Sequence, residues 1–288
     1  MNPEAQKSRK ETLSPRFFPG IRVLHLIFFA VLLVSIYFAG SLSCQAQTEA
    51  PQKDLIVGME LAYPPFEMTD TDGNPSGVSV DLAKALGEYL HRKVVIENIR
   101  FDGLIPELKV GKIDLIISSM TATPERAQAI DFSDPYLKTG LCLLVRSDSG
   151  IQSIQDADRS GQTIVVKKGT TGNLYAGQQI KNAQVVILEK ESACVLEVIQ
   201  GKADAFIYDQ MSTYQNWQKN QASTRAILAP FQEESWAIGI RKGNDELKAQ
   251  VNKFLADFRA KKGFETLGDR YLAEQKDAFK KRSIPFYF

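Results

Sequence analysis

The sequence predicts an α/β protein built from two similar lobes, and three observations lead to this fold class. From Asp54 onwards, short apolar strands alternate with amphipathic helices, which is typical of mainly parallel sheets covered by helices. The phrase Gly-Lys-x-Asp leaves a helix and enters an apolar strand twice, at Gly111 and at Gly201. Two polar, turn-rich stretches, 147–162 and 228–235, are placed to carry the chain between the lobes. We therefore expect two lobes joined by a two-stranded hinge.

The first lobe is predicted over 54–145 together with 234–276. Its elements in chain order are a strand at 55–58, a helix at 80–89, a strand at 93–99, a helix at 104–109, a strand at 111–117, a strand at 236–240, and helices at 245–261 and 264–271.

The second lobe is predicted over 146–233 and repeats the same alternation of strands and helices. Its elements are a strand at 164–166, a helix after Gly172, a helix at 193–200 and a strand at 201–208. Residues 277–288 form a basic, aromatic tail. We expect this tail to be a disordered end rather than a contact with a membrane or partner.

The composition limits the classes of function. The 288 residues are 44% apolar and 24% charged, which is enough material for one large or two modest cores. Basic residues (35) nearly balance acidic ones (34), so the net charge of +1 argues against a nucleic-acid binder. Only two histidines and three cysteines occur, and none of them lie at metal-ligand spacing. We therefore expect no metal site and no cofactor.

The first 46 residues are predicted to be an export signal and the start of a tether. Basic residues within 1–22 precede an uncharged apolar run over 23–39. The segment around Cys44 resembles a bacterial lipobox that is one residue short, which makes Cys44 a candidate lipidation site. Cleavage after Ala46 and retention of the apolar run as an anchor are the alternatives. All three place the folded part outside the cytoplasmic membrane, so we predict a periplasmic protein, with lipid anchoring ranked slightly first.

Two cysteines remain in the exported body, Cys142 and Cys194. Both lie inside apolar runs, which favours buried free thiols. A disulfide between them is the alternative in an oxidising compartment.

Polar residues collect where the predicted strands end, which is where open α/β sheets bind ligands. After the strand at 111–117, Thr123 suits a helix N-cap, Pro124 suits the first helical position, and Arg126 lies in the first turn. Its neighbours are serines and threonines, so Arg126 is a candidate carboxylate site rather than a surface ion pair. The loop 168–173 is a second, weaker candidate for an anion, and Asp209 would hold a cation.

Taken together, these motifs resemble the polar-amino-acid family of periplasmic solute-binding proteins, which serve ABC transporters. The resemblance covers residues 54–275. One departure follows Gly77, where Val78 and Ser79 replace the aromatic and acidic residues that are usual in the family. The matching phrases are 57–67, Gly77 with Asp81 to Lys84, 101–108, 111–114, 118–126, 130–136, 169–171 and 203–209.

The resemblance implies a type II periplasmic-binding-protein fold, with a free amino acid bound in the cleft between the lobes. It also implies capture by hinge closure. The residues implied to hold the ligand backbone are Arg126, Thr121, Thr170 and Thr171 for the α-carboxylate, and Asp209 and Ser119 for the α-ammonium.

The same resemblance implies which residues face the ligand side chain. Tyr63 and Phe101 would form aromatic walls, and Glu60, Lys167 and Ser118 would stand beside them. Glu60 and aromatic stacking favour arginine, lysine or ornithine, whereas an unpaired Lys167 would repel them. If Glu60 and Lys167 pair, a glutamine-like ligand fits best. The identity of the amino acid stays open at this point.

The implied partner is an ABC transporter permease, and we expect a monomer that is not an enzyme. Two alternatives remain. The first is a dehydratase acting on prephenate or arogenate on the same scaffold, for which Glu60 is a candidate general acid. The second is the ligand-sensing domain of a receptor.

Overall fold

The computed structural model describes residues 53–284, so the predicted export signal and Cys44 lie outside the described residues. Within this range the chain forms two five-stranded sheets and one three-stranded sheet. Helices cover the two larger sheets, and each of these sheets is the centre of one lobe. The predicted two-lobed α/β fold is confirmed.

The first sheet has the strand order β5-β1-β6-β13-β7. Strand β1, which lies between β5 and β6, is almost wholly buried, as expected for a parallel strand covered on both faces. Strand β13 runs antiparallel to both of its neighbours. The strands of this sheet are β1 (Leu55–Met59), β5 (Val94–Asn98), β6 (Leu115–Ile116), β7 (Asp131–Phe132) and β13 (Gly239–Ile240).

The first lobe also contains the small antiparallel sheet and several helices. The small sheet consists of β2 (Ala62–Tyr63), β3 (Glu67–Thr69) and β4 (Pro75–Ser76). The helices are α1 (Val78–Tyr89), a 3-10 turn (Phe101–Gly103), α2 (Leu104–Lys109), α3 (Pro124–Ala129), α8 (Asp245–Ala260) and α9 (Gly263–Tyr271).

The second sheet has the strand order β10-β9-β11-β8-β12. Its strands are β8 (Leu137–Arg146), β9 (Thr163–Lys167), β10 (Gln184–Leu188), β11 (Ala205–Asp209) and β12 (Thr224–Trp236). Its helices are α4 (Ile154–Ala157), α5 (Thr171–Gln179), α6 (Glu191–Ile199) and α7 (Gln210–Lys219). In each large sheet, three parallel strands thus lie side by side at one edge, and the strand that comes first in the chain lies between the other two. This shared order is the structural counterpart of the repeated Gly-Lys-x-Asp phrase.

The crossings between the lobes differ from the predicted ones. The chain leaves the first sheet after Phe132 and enters the second at Leu137, and it returns between Trp236 and Gly239. The predicted lobe boundary at 145/146 is therefore too late, and the second lobe runs from about 137 to 236. The predicted crossings at 147–162 and 228–235 lie inside the second lobe. Polarity misled the prediction because the true crossings, 133–136 and 237–238, are short and adjoin the ends of two long strands of the second sheet.

The two strands that adjoin the crossings, β8 and β12, are hydrogen-bonded to each other, and their ends at Leu137 and Trp236 lead into the two connections of the hinge. β8 and β12 pair antiparallel from Thr224 with Arg146 to Trp236 with Leu137, with an irregularity between Ile227 and Gln232. A side chain at Gly140 would collide there, because an added Cβ would lie 2.5 Å from the Gln232 carbonyl oxygen. Glycine lets the two strands approach at the irregularity.

Residues 277–284 differ from the predicted disordered tail, and the rest of that tail, 285–288, lies outside the described residues. Helix α10 (Ala273–Lys281) continues directly from α9, and Phe279 is only 1% exposed. Its ring meets that of Tyr214 on α7 edge-on, with the ring centres 5.1 Å apart. The Arg282 guanidinium lies over the rings of Tyr214 and Trp217. The tail therefore runs from a helix of the first lobe onto a helix of the second.

Three apolar clusters form the core. The largest contains side chains from both large sheets, including Val57 in the first lobe and Phe206 in the second, together with Phe279. A second cluster lies on the other face of the second sheet and a third on the other face of the first. Cys142 and Cys194 are buried free thiols, as expected. Between residues 53 and 284, no helix is both long enough and apolar enough to cross a membrane.

Candidate ligand-binding site

The structure brings all the residues singled out in the sequence to one cavity between the lobes. The space between the lining residues, counted together with its opening to solvent, is about 470 Å³. Side chains from both lobes line it. The predicted residues that line it are Glu60, Tyr63, Phe101, Ser118, Ser119, Thr121, Arg126, Lys167, Thr170, Thr171 and Asp209. Their roles toward a ligand stay predictions.

Arg126 is held rigidly at one end of the cavity. Thr123 caps helix α3 by accepting a hydrogen bond from the Arg126 backbone N–H (3.2 Å), and Pro124 occupies the first turn, as predicted. The guanidinium donates to the carbonyl oxygens of Thr121 (2.7 Å) and Gly169 (2.9 Å), so it contacts both lobes. Burial lowers the pKa of Arg126 to about 10, which leaves the side chain charged at neutral pH.

Helix α5 points its first turn at the same end of the cavity. Thr170 caps this helix by accepting a hydrogen bond from the Asn173 backbone N–H (3.4 Å). The first N–H groups of a helix have no carbonyl partner within the helix, and the helix dipole favours negative charge beside them. With Arg126 opposite, this end of the cavity can bind a carboxylate.

Asp209 brings a carboxylate from the second lobe into the cavity. It is the last residue of β11 and caps α7, accepting a hydrogen bond from the Ser212 backbone N–H (3.0 Å). Its carboxylate also accepts a hydrogen bond from the Tyr63 hydroxyl across the cleft (2.6 Å). Burial raises the pKa of Asp209 to about 7. A bound ammonium group would favour the ionised carboxylate.

Glu60 and Lys167 pair across the cleft, which is the arrangement for which the sequence predicted a glutamine-like ligand. The Lys167 ammonium donates to the Glu60 carboxylate, and the Lys167 side chain is only 4% exposed. The Glu60 backbone N–H donates to the Ser118 hydroxyl (3.0 Å). The Phe101 ring lies beside two cations, with its centre 5.4 Å from the Lys167 nitrogen and 5.5 Å from the Arg126 guanidinium carbon.

Two acidic residues of the cavity were missed by sequence reasoning, and the first is Glu67. Its carboxylate accepts hydrogen bonds from the hydroxyls of Ser79 (2.6 Å), Ser119 (3.1 Å) and Ser118 (3.5 Å). Burial raises its pKa to about 8. Ser79 lies where the resemblance implied an acidic residue, and it contacts the site through its hydrogen bond to Glu67. A carboxylate at position 79 would repel the carboxylate of Glu67.

The second missed acid is Glu234 on the hinge strand β12. Its carboxylate accepts hydrogen bonds from the hydroxyls of Thr121 (3.0 Å) and Thr171 (3.0 Å), one in each lobe. Trp236 lies two residues further along and also lines the cavity. Residues two apart share one face of a strand, so the buried tryptophan was the signal that could have placed Glu234 inward.

Exposed ion pairs join the lobes at the rim of the cleft. Arg100 of the first lobe pairs with Glu189 of the second (2.7 Å), and Asp102 pairs with Lys168 (3.1 Å). We call these two pairs the rim pairs. Over residues 53–284, no cluster of histidine, cysteine and acidic side chains could hold a metal ion.

Comparison with known proteins identifies relatives across the whole described body. The family model described as bacterial extracellular solute-binding proteins, family 3, matches residues 55–274. An L-arginine-binding protein of Pseudomonas aeruginosa is 31% identical over 235 residues, covering 78% of this chain and 90% of that protein.

Two solved structures share the fold. A binding component of an ABC transporter from Wolinella succinogenes, complexed with lysine, has a TM-score of 0.71 at 34% identity, covering 76% of this chain and 95% of the other. An ancestral amino-acid-binding protein, described as a precursor of cyclohexadienyl dehydratase, has a TM-score of 0.69 at 34% identity, with the same coverage of both chains. The fold, the cleft and these matches agree: the chain belongs to the bacterial extracellular solute-binding proteins of family 3.

Proposed function

We propose that this protein captures a free L-amino acid with a cationic side chain outside the cytoplasmic membrane and delivers it to an ABC transporter permease. The observation that carries the proposal is the charge of the cavity lining. The carboxylates of Glu60, Asp209 and Glu234 face only two basic side chains of the cavity lining, Arg126 and Lys167, because Glu67, with its pKa of about 8, is largely protonated at neutral pH. A ligand with one carboxylate and two cationic groups balances this excess of acids.

The ends of the cavity suit the backbone of an amino acid. Arg126 and the first turn of α5 form a cationic end, and Asp209 forms an anionic one. A fixed cation and a fixed anion in one buried site favour a zwitterion over singly charged ligands. The aromatic ring of Phe101 adds a surface on which a guanidinium or ammonium group can lie.

The relatives support the same class of ligand. Arginine is named for the Pseudomonas protein and lysine for the Wolinella complex. Glutamine is the second candidate, because the pair between Lys167 and Glu60 cancels one carboxylate of the cavity. The proposed capture is hinge closure about β8 and β12, since the candidate ligand residues come from both lobes.

A thermal-shift screen tests the proposal. Protein unfolded and refolded to strip bound ligand would be heated with each common amino acid, ornithine, prephenate and arogenate. At a hundredfold excess over Kd we expect about 2.7 kcal/mol of stabilisation from arginine, lysine or ornithine, which raises the Tm by several degrees. No shift with any amino acid would contradict the proposal.

We also propose that the protein binds its ligand without converting it. The candidate general acid Glu60 accepts a hydrogen bond from the Lys167 ammonium, so its carboxyl group is engaged by a cation and is not free to face a leaving hydroxyl. The dehydratase alternative is tested by incubating the protein with prephenate and with arogenate. Release of phenylpyruvate or phenylalanine would favour the enzyme. Export, lipidation at Cys44 and a monomeric state remain part of the proposal.

Lys167→Met is expected to increase the preference for cationic ligands. The substitution leaves Glu60 without its partner, so the ratio of arginine to glutamine affinity should rise by about tenfold. Glu60→Gln should shift the ratio in the opposite direction. Calorimetric titration with both ligands measures the ratio.

Lys168→Met is the matched control, because Lys168 is exposed and belongs to the rim pairs. Its ratio should stay within about twofold of the unmodified protein. An unchanged ratio in Lys167→Met, with thermal unfolding showing a folded protein, would remove Lys167 and Glu60 from the determinants of ligand choice.

A further inference from the structure

Glu234 occupies an unusual place, because it brings a carboxylate to the end of the cavity that is built for one. The side chain is 7% exposed. One carboxylate oxygen accepts from the hydroxyls of Thr121 and Thr171, both at 3.0 Å, and the other accepts from the Gln232 amide (3.1 Å). Its donors thus come from the first lobe, the second lobe and the hinge.

The same end of the cavity contains the best cation for a ligand carboxylate. Arg126 donates to two carbonyl oxygens, and among residues 53–284 no carboxylate oxygen lies within 4.0 Å of its guanidinium. Its charge still reaches Glu234: burial raises the pKa of Glu234, whereas the hydroxyl donors and the Arg126 charge act against that rise. A ligand carboxylate bound at Arg126 would therefore come close to a second carboxylate in a buried site.

We propose that Glu234 is an internal competitor for the carboxylate end of the cavity and thereby determines how strongly the protein prefers amino acids over the corresponding amines. The inference rests on the proposed function, since it concerns the same cavity. An amino acid must share the Thr121 and Thr171 hydroxyls with Glu234 or displace it. An amine without a carboxylate leaves Glu234 in place and is attracted by it.

The fold provides a route for the displaced side chain. Thr121, Thr171 and Glu234 line the inner cavity and also an outer groove of about 1730 Å³ beside the hinge. Glu234 thus forms part of the wall between the inner cavity and the outer groove. Rotation of its side chain toward the groove would free both hydroxyls without a change in the backbone of β12.

The test compares Glu234→Gln with the matched control Glu233→Gln, an exposed acid at the next position. Gln keeps the length of Glu and removes the charge; its oxygen can still accept from the two threonines, and its NH2 group can donate to the Gln232 amide oxygen once that amide has turned over. The full chain, held in mild detergent because residues 23–39 are apolar, would be titrated calorimetrically. The probes are L-arginine and its decarboxylated counterpart agmatine, and L-lysine and its counterpart cadaverine.

In Glu234→Gln, we expect L-arginine and L-lysine to bind about tenfold more tightly and agmatine and cadaverine to bind more weakly. The ratio of amino-acid to amine affinity should therefore rise by more than tenfold. In Glu233→Gln, the ratio should stay within about twofold. A purely structural role of Glu234 would move both members of each pair in the same direction.

Two outcomes overturn the inference and leave the proposed function standing: an unchanged ratio, or an equal loss of affinity for the amino acids and the amines. Thermal unfolding without ligand shows whether such a loss reflects misfolding. If the Tm has fallen, the second variant is Glu234→Asp, which keeps the charge but shortens the side chain. Its ratio of amino-acid to amine affinity must then differ from that of Glu234→Gln. Failure of the unmodified protein to bind any of the four probes would overturn the proposed function and the competition with it.

Discussion

Arg126→Ala is expected to weaken binding of an L-amino acid by about 30-fold to several thousandfold. Removing one partner of a buried, hydrogen-bonded charge pair costs about 2–5 kcal/mol, and each 1.4 kcal/mol is a factor of ten in Kd. Arg126 is 7% exposed, so little water would replace its charge at the ligand carboxylate. Calorimetric titration with L-arginine and L-lysine measures the loss.

Arg126→Lys separates charge from geometry at the same position. Lysine keeps the positive charge but loses the planar fork that matches a carboxylate, so its affinity should lie between those of Arg126→Ala and the unmodified protein. Arg159→Lys is the control, because Arg159 is an exposed residue whose side chain pairs with Asp156. Unchanged binding in a folded Arg126→Ala protein would show that the carboxylate binds elsewhere.

Phe279→Ala is expected to lower the free energy of unfolding by about 3–5 kcal/mol, the usual cost of removing a buried phenylalanine. The ring fills the contact between α10 and α7, where it meets Tyr214. For a body of this size, the loss should lower the Tm by about 6–20 °C. Thermal and denaturant unfolding without ligand would measure it.

The control for the tail is Lys280→Ala, the next residue, whose side chain is exposed. Its free energy of unfolding should stay within about 0.5 kcal/mol of the unmodified protein. If Phe279→Ala behaves like this control, α10 adds nothing to the stability of the body, and the predicted disordered tail would describe it better in solution.

The sequence was most informative where a strand leads directly into a loop. Lys167, Asp209 and the residues after β6 follow buried strands, and parallel strands bring their carboxyl ends to one edge of a sheet. Local signals also placed Arg126, since Thr123 and Pro124 mark the start of its helix. These features need only short-range patterns and the alternation of strands and helices.

The sequence was least informative where a side chain depends on the register of distant strands. Glu233 and Glu234 are the same residue type, and apart from Trp236 two residues further on, it is the pairing of β12 with β8 that decides which of them faces the cavity. Glu67 depends on the small sheet and on Ser79 from the next helix. The tail was misjudged for the same reason, because Phe279 packs against a residue 65 positions earlier in the chain.

The rim pairs give the cleft a sensitivity to ionic strength. Their arginine, lysine and glutamate side chains are about half exposed or more, so dissolved salt screens the attraction between them, and the Debye length falls from about 10 Å at 0.1 M to 3 Å at 1 M salt. The ion pair of Glu60 and Lys167 deeper in the cleft is shielded from this effect. Changes in the salt concentration of the medium would thus act on the rim pairs, while the buried charge pattern continues to distinguish one solute from another.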